Sequence, residues 1–551
     1  MRKSYRKMLG LALAPTLAVL VACGGGAAAP TATRLAPQPS PTTAPRATAA
    51  ATPTSAPARV VPTGQLNVGM RGTGVGLDPH FQAQCHYATW YTRIFEGLTN
   101  RAPSGKIEPA LATSWDFAPD GKSVTWKLRK GVKFHNGDDF TASDVLWTIE
   151  RGRTHPSPYL YRTQLDRVSK TTAVDDYTVR MDLGAYFFEL PDGWMDVFFG
   201  MVPEKYTKSL ANPWNDLQRQ PVGTGPYKFV ELKTNDYFTI EANESYWGMV
   251  SKVKTFKTVS VPDATTRVTM LKTGQMDIVE YVPPQMLDDV KKMPNVTLEL
   301  IKALDTLILM PVTAQPANLA MKDKRVRQAL WYAQDVDTMV DKLWRGSAIK
   351  ANDLIAPGFV GHNDKITPHP YDPAKAKKLL AEAGFAGGLK LRGAYSSGTT
   401  AITDEWMEAT RLYWADVGID MKWEKLEGAA MSELTPRKYQ GYDMYVSNSR
   451  NIGYDPIRDL TFWIHSKGGQ SSHANPEWDK MIDPISLIPD PAARLKAIVD
   501  AYAVLVGEEV SVLPVFHPLY TVAYRNDKIK EFPMTQGWSV YPRNLNYIVP
   551  R

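Results

Sequence analysis

Past residue 63, apolar positions switch repeatedly between a two-residue period and a three-to-four-residue period, the mark of alternating strands and helices. Gln65 to Met70 reads as a strand entering the glycine-rich turn Arg71-Gly72-Thr73-Gly74-Val75-Gly76. Ser123 to Lys130 alternates, with Val124, Trp126 and Leu128 on one face, and Gly131 turns it. Thr178 to Leu183 is a further strand after the Asp175-Asp176 turn. Asp372-Pro373 sets an N-cap and a first-turn proline before a helix over 374–383, and Gly384 follows as its stop. Asp490-Pro491 opens the longest helix in the same way, to about Glu509. Val326, Ala329, Leu330, Ala333, Val336, Met339, Val340 and Leu343 predict one continuous buried face. Leu389–Tyr395, Asp404–Val417 and Ile419–Lys425 form one βαβ unit. The class is α/β, with no internal repeat.

The first 63 residues do not share this pattern. Arg2, Lys3, Arg6 and Lys7 precede an apolar run from Met8 to Ala22, too short to span a bilayer, so residues 1–22 are expected to be an export signal. The run ends Leu20-Val21-Ala22-Cys23, which resembles the bacterial lipobox; Cys23 is the expected lipidation site and the mature N-terminus. Of residues 27–63, 28 of 37 are Ala, Pro or Thr, so 23–63 is expected to be a disordered tether. Lipidation of Cys23 leaves Cys85 as the one other cysteine and excludes an intrachain disulfide.

The formal charge of +7 suggests a nucleic-acid partner until it is located. Seven basic and no acidic residues fall in 1–63, which leaves 57 Lys and Arg against 57 Asp and Glu in the remainder. The folded part is formally neutral, and no nucleic-acid partner is expected. Catalytic and cofactor patterns fail too. The turn at 72–76 is G-x-G-x-G, followed by Leu77-Asp78-Pro79, which does not open a helix. Gly121-Lys122-Ser123 belongs to a hairpin turn, and neither G-x-S-x-G nor H-E-x-x-H occurs. His80, Cys85 and His86 are the closest metal-type cluster and read as an ordinary loop. No catalytic residue, metal or cofactor is singled out. Fifteen tryptophans lie within 90–538, and Trp115, Trp126, Trp147, Trp331, Trp344 and Trp414 fall on apolar faces.

Ordered motifs run through the body: Phe95-Glu96-Gly97-Leu98, Pro109 to Trp115, Trp126 to Gly137, and Thr141-Ala142-Ser143-Asp144-Val145. Gly223-Thr224-Gly225-Pro226-Tyr227, Tyr246-Trp247-Gly248, Gly274 to Ile278, Arg325 to Leu330, Tyr371-Asp372-Pro373 and Tyr454-Asp455-Pro456 follow. Together they resemble the family 5 extracellular solute-binding proteins of ABC importers, the oligopeptide, dipeptide and nickel binders. The resemblance implies a periplasmic-binding-protein-like class II fold, two lobes with a hinge plus an extra domain. Domain I would take 64–98, 218–308 and 525–551, domain II 99–217, and domain III 309–524. It also implies a monomeric, extracytoplasmic receptor, lipid-anchored to the membrane, that delivers a small solute to ABC permease subunits. The solute would be peptide-like, a sugar or an anionic compound; a hydrolase on the same scaffold is the rival from another class.

Three segments are expected to border the ligand by this resemblance: Gln82, Gln84, Cys85, His86 and Tyr87; Asn448, Ser449, Arg450, Asn451 and Ile452; and Phe516 with His517. Peptide binders of the family hold the ligand ammonium with an aspartate three residues before the acidic residue of an acidic-Pro pair. Here the pair is Asp455-Pro456 and the matching position is Ile452, with Arg450 two residues earlier. An ammonium taken from water needs a charged partner, so free-amine peptides are expected to bind poorly unless Asp455 or Asp459 substitutes.

Overall fold

Twelve strands form one large sheet, and its order shows how the chain is organised. From one edge it runs Ile419–Leu426, Leu389–Ser396, Met444–Arg450, Asp305–Pro311, Leu513–Arg525, Ile278–Glu280, Thr63–Met70, Val253–Ser260, Tyr237–Ala242 and Tyr227–Lys233. Val296–Lys302 and Ala348–Lys350 also pair with Leu513–Arg525. A separate antiparallel sheet joins Ala112–Phe117, Ser123–Leu128, Thr178–Leu183 and Val168–Asp175. The computed structural model describes residues 60–72, 76–80, 92–101, 107–155, 165–184, 190, 199–366, 369–396, 399–435, 438–450, 456–533 and 547–551. The signal, Cys23, Gln82, Gln84, Cys85, His86, Tyr87, Asn451, Ile452 and Asp455 lie outside them.

The local expectations mostly hold. Val124, Trp126 and Leu128 are buried on one face, and Gly131 turns the chain with φ +77°. Asp372 accepts from the Lys375 amide, Pro373 follows it, and Gly384 has φ +90°. Asp490 caps Pro491–Tyr502 in the same way, and the helix continues as a wider π turn over Ala503–Glu508. The βαβ unit is parallel, with Leu389 opposite Ile419. The face expected over 326–343 is interrupted. Helices Lys324–Tyr332 and Val336–Met339 are separate, because the Asp335 carboxylate takes the Thr338 amide and starts a new turn.

The distant motifs converge on one hydrogen-bond hub. The Glu96 carboxylate accepts from Thr224 Oγ1 (2.8 Å), Tyr246 OH (2.6 Å) and Trp247 Nε1 (2.9 Å). His135 Nε2 donates to the Gly225 carbonyl at 2.9 Å while Nδ1 accepts from the Gly223 amide. A Cβ on Gly223 or Gly225 would sit 2.0 or 2.2 Å from the Ile94 or Arg93 carbonyl oxygen, so only glycine fits. Nearby, Asp78 and Arg151 form an ion pair with both side chains fully buried.

Among the described residues a small hydrophobic core gathers Val268 to Val290 with Ala523, and the two larger ones divide at the same points of the chain. The first gathers Leu66 through Leu304 and resumes at Tyr520; the second runs from Leu307 to Phe516. Two chain segments therefore pass between them. One is Val296–Lys302 continuing into Asp305–Pro311, and the other is Leu513–Arg525. The latter pairs with Asp305–Pro311 and Ala348–Lys350 up to Pro518, then with Val296–Lys302 from Leu519 onward. Pro518 sits at this change of partners, where a residue without an amide hydrogen leaves no ladder bond unmade.

Candidate ligand-binding cleft

A cavity of about 290 Å³ opens where the two segments cross. Crossing residues line it directly: Ala303, Asp305 and Leu307 from one, Pro518, Tyr520 and Thr521 from the other. The first core's side adds Arg71, Arg267 and Tyr281, and the second core's side adds Trp344, Thr399, Asn448 and Arg450. Thr399, Asn448 and Arg450 also line a second chamber of about 450 Å³, walled further by Thr435, Tyr439, Phe462, Trp463 and Gln470.

Strand register brings the polar groups of the second side together. Asp305 and Arg450 stand directly opposite on paired antiparallel strands. Arg450 Nε donates to Asp305 Oδ1 at 2.8 Å, and Asn448 Nδ2 donates to the same oxygen at 3.2 Å. The Asp305 and Arg450 side chains keep 14% and 28% of their surface exposed, so the pair is reachable from the cleft. Asn448 must turn its nitrogen to the carboxylate, which can only accept; its Oδ1 is left buried without a hydrogen-bond partner.

The opposite side is built differently. Tyr281 has φ +55°, a left-handed backbone unusual for a bulky residue, and its amide donates to the Thr521 carbonyl at 2.8 Å. Its ring meets Tyr520 edge-on at 5.2 Å, and the Arg71 guanidinium lies 4.9 Å over it. Arg267 is spent on carbonyls, donating to Val261, Pro262, Glu280 and Tyr281. Burial pushes the Glu280 carboxyl up to about 8, opposed by a hydrogen bond from Tyr520 and the charges of Arg267, Arg93 and Arg71.

This architecture has a recognised owner. The family model described as bacterial extracellular solute-binding proteins, family 5 Middle, matches residues 106–471. The chain belongs to that family. Heme-binding protein A of Haemophilus influenzae is 34% identical over 322 residues, which cover 54% of this chain and 57% of that protein. Glutathione-binding protein GsiB of Pectobacterium atrosepticum is 28% identical over 427 residues, covering 75% of this chain and 80% of that one. The periplasmic binding protein DppA from Helicobacter pylori, solved with the peptide STSA, superposes with TM-score 0.76 at 24% identity, covering 88% of this chain and 98% of that one. The fold is therefore the class II fold of periplasmic binding proteins.

Of the residues singled out in the sequence, this family 5 protein places Asn448 and Arg450 on the cleft wall. Phe516 and His517 are placed elsewhere. Phe516 is 0% exposed in the second core, its ring 5.6 Å from Trp344 and 5.3 Å from Trp406. His517 is 1% exposed, shares a hydrogen bond of 2.9 Å with Thr306, and is pushed down to about 3 by burial. The strand runs on past both, so they belong to its packed interior rather than to a rim at its end. Ser449 is buried, and so is Asp459, whose carboxyl is raised by burial to about 6; neither lines the two chambers. Arg71, Tyr281, Asp305 and Trp344 escaped the sequence reading. Arg71 directly follows the strand Thr63–Met70 and Asp305 begins the strand Asp305–Pro311; the backbone twist at Tyr281 leaves no signal in the sequence.

Proposed function

We propose that this chain is the extracytoplasmic receptor of an ABC importer, which captures a small, peptide-like solute in the crossing-strand cleft and delivers it to the permease. The observation that carries this reading is the position of the cavity, lined by both crossing segments and by both cores. A solute held there touches groups on either side, so its binding favours the arrangement that brings them together. The relatives named for heme and for glutathione, and the solved relative with a tetrapeptide, support a family 5 receptor without restricting its ligand to one shape. The domains proposed are 64–98 with 218–308 and 525–551, then 99–217, then 309–524, acting as a monomer. Asn448 and Arg450 are proposed as ligand contacts, together with the loop carrying Gln82, Gln84, Cys85, His86 and Tyr87 and with Asn451 and Ile452. We further propose that Cys23 carries a lipid and that residues 23–63 tether the receptor beside the membrane.

Native mass spectrometry of gently purified protein tests the capture. An unaltered small molecule released on denaturation is expected, and conversion of bound candidates into products would make the protein an enzyme instead. Anchoring has its own test. Cys23→Ala is expected to lose the lipid, and a diacylglycerol adduct on that variant would refute the lipobox.

A further inference from the structure

The two chambers are joined, yet different chemistry walls them. Thr399, Asn448 and Arg450 line both, so a solute that fills one leads past them into the other. Among the described residues, the accessible wall of the first chamber is mostly carbon: Pro262, Pro518 and Leu519 with the ring of Tyr281, each at least partly exposed. The charged groups around them are engaged within the protein. Arg267 donates to four carbonyls, Arg450 pairs with Asp305, and the Arg71 guanidinium lies over the Tyr281 ring. Covering such a wall with C–H groups releases the water that stands on it, which favours an apolar occupant.

The second chamber, the larger of the two, is lined from residues 396 to 470 alone among those described. Its accessible wall carries Ser432, Thr435, Ser447 and Gln470, with Phe462 as one apolar side. Several of these polar groups are held by bonds that leave part of each unused. Ser432 Oγ donates to the Gly428 carbonyl at 2.9 Å, and a hydroxyl that donates once keeps lone pairs to accept with. Gln470 Oε1 accepts from Tyr439 OH at 3.0 Å and from Thr435 Oγ1 at 3.4 Å, which leaves the amide nitrogen as a donor. The Tyr439 ring is stacked flat on Tyr445 at 3.5 Å, so that amide rests on a rigid base. Acceptors and donors fixed side by side suit a hydroxyl or an amide, each of which can answer both. Groups pinned in advance cost little to order, and a wall built for hydrogen bonds penalises an occupant that makes none.

Resting on the receptor reading above, we propose that the solute is a segmented amphiphile, whose apolar end fills the first chamber and whose hydroxyl- or amide-bearing end fills the second. Among peptides this class is a short chain with leucine-like residues at one end and serine, threonine, asparagine or glutamine at the other. The first chamber touches both crossing segments, so closure covers the apolar end, while the polar end is read by the second core's side. The test is calorimetry with tetrapeptides of one composition in different order. Leu-Leu-Ser-Gln and its reverse Gln-Ser-Leu-Leu are compared with the alternated Leu-Ser-Leu-Gln, and with Leu-Leu-Leu-Leu. One of the two segmented orders is expected to bind about tenfold tighter than the alternated peptide and than tetraleucine. Ser447→Val should shrink both ratios to about threefold or less. Leu519→Asn, at the other end, should weaken the segmented peptide about threefold or more and leave the alternated one within about twofold. Equal affinity for segmented and alternated orders, tetraleucine as the tightest ligand, a preference that survives Ser447→Val, or no binding across the set each overturns the proposal. Native mass spectrometry separates this failure from that of the receptor reading. A retained solute whose apolar and polar groups are intermixed removes the segmentation and leaves the receptor standing.

Discussion

Buried ionisable side chains decide how this protein answers to pH. Burial raises the carboxyls of Glu96 and Asp353 to about 7 and that of Glu280 to about 8. A carboxyl raised on folding contributes stability in full below its ordinary value near 4.5, or 3.8 for aspartate, and loses it as pH climbs through the raised one. Buried histidines act in the opposite sense. His135 is pushed down to about 4, and His80 and His473, like His517, to about 3, so their contribution is present above 6.5 and lost on acidification. The two sets oppose each other between 4.5 and 6.5. From 6.5 to 8 these carboxyls carry most of the titration among these described groups, and the melting temperature is expected to fall over that interval. Glu280→Gln should flatten the fall; a wild-type melting temperature that rises from 6.5 to 8 would contradict the assignment. At this scale the sequence was only partly legible. Asn448 and Arg450, singled out beside neighbouring motifs, line the cavity, but the ion pair that occupies Arg450 depends on cross-strand register with Asp305, 145 positions away.

Elements were read where punctuation is local. The Asp-Pro helix starts, the glycine stops and the alternating strand at 123–128 rest on residues a few positions apart, and the structure keeps them. The sequence reading went astray where long-range packing overrides that punctuation. Phe516 and His517 are expected at the ligand, yet the strand that carries them continues to Arg525, because the change of partners at Pro518 needs no amide. That error moved Phe516 from the core to the cleft. Phe516→Ala is therefore expected to cost ~3–5 kcal/mol of unfolding free energy by opening a cavity against Trp344 and Trp406. Denaturant unfolding checks it, and a loss below ~1 kcal/mol would return Phe516 to an exposed role.

For the whole molecule, the α/β class and the family were legible because glycine, proline and aromatic motifs are spread over most of the chain, and three of them, at 95–98, 223–227 and 246–248, meet at Glu96. The cleft follows from the family resemblance alone and from no local pattern, since it is made by two chain segments passing between separate cores. If that crossing is a hinge, a solute bound across it must draw the two sides together and stabilise the folded state by RT ln(1 + [L]/Kd). Small-angle scattering of the purified protein, stripped of solute and then titrated with the solute recovered from it, measures this directly. The radius of gyration is expected to fall in step with saturation. A scattering profile unchanged at full occupancy would contradict a receptor that closes on its ligand.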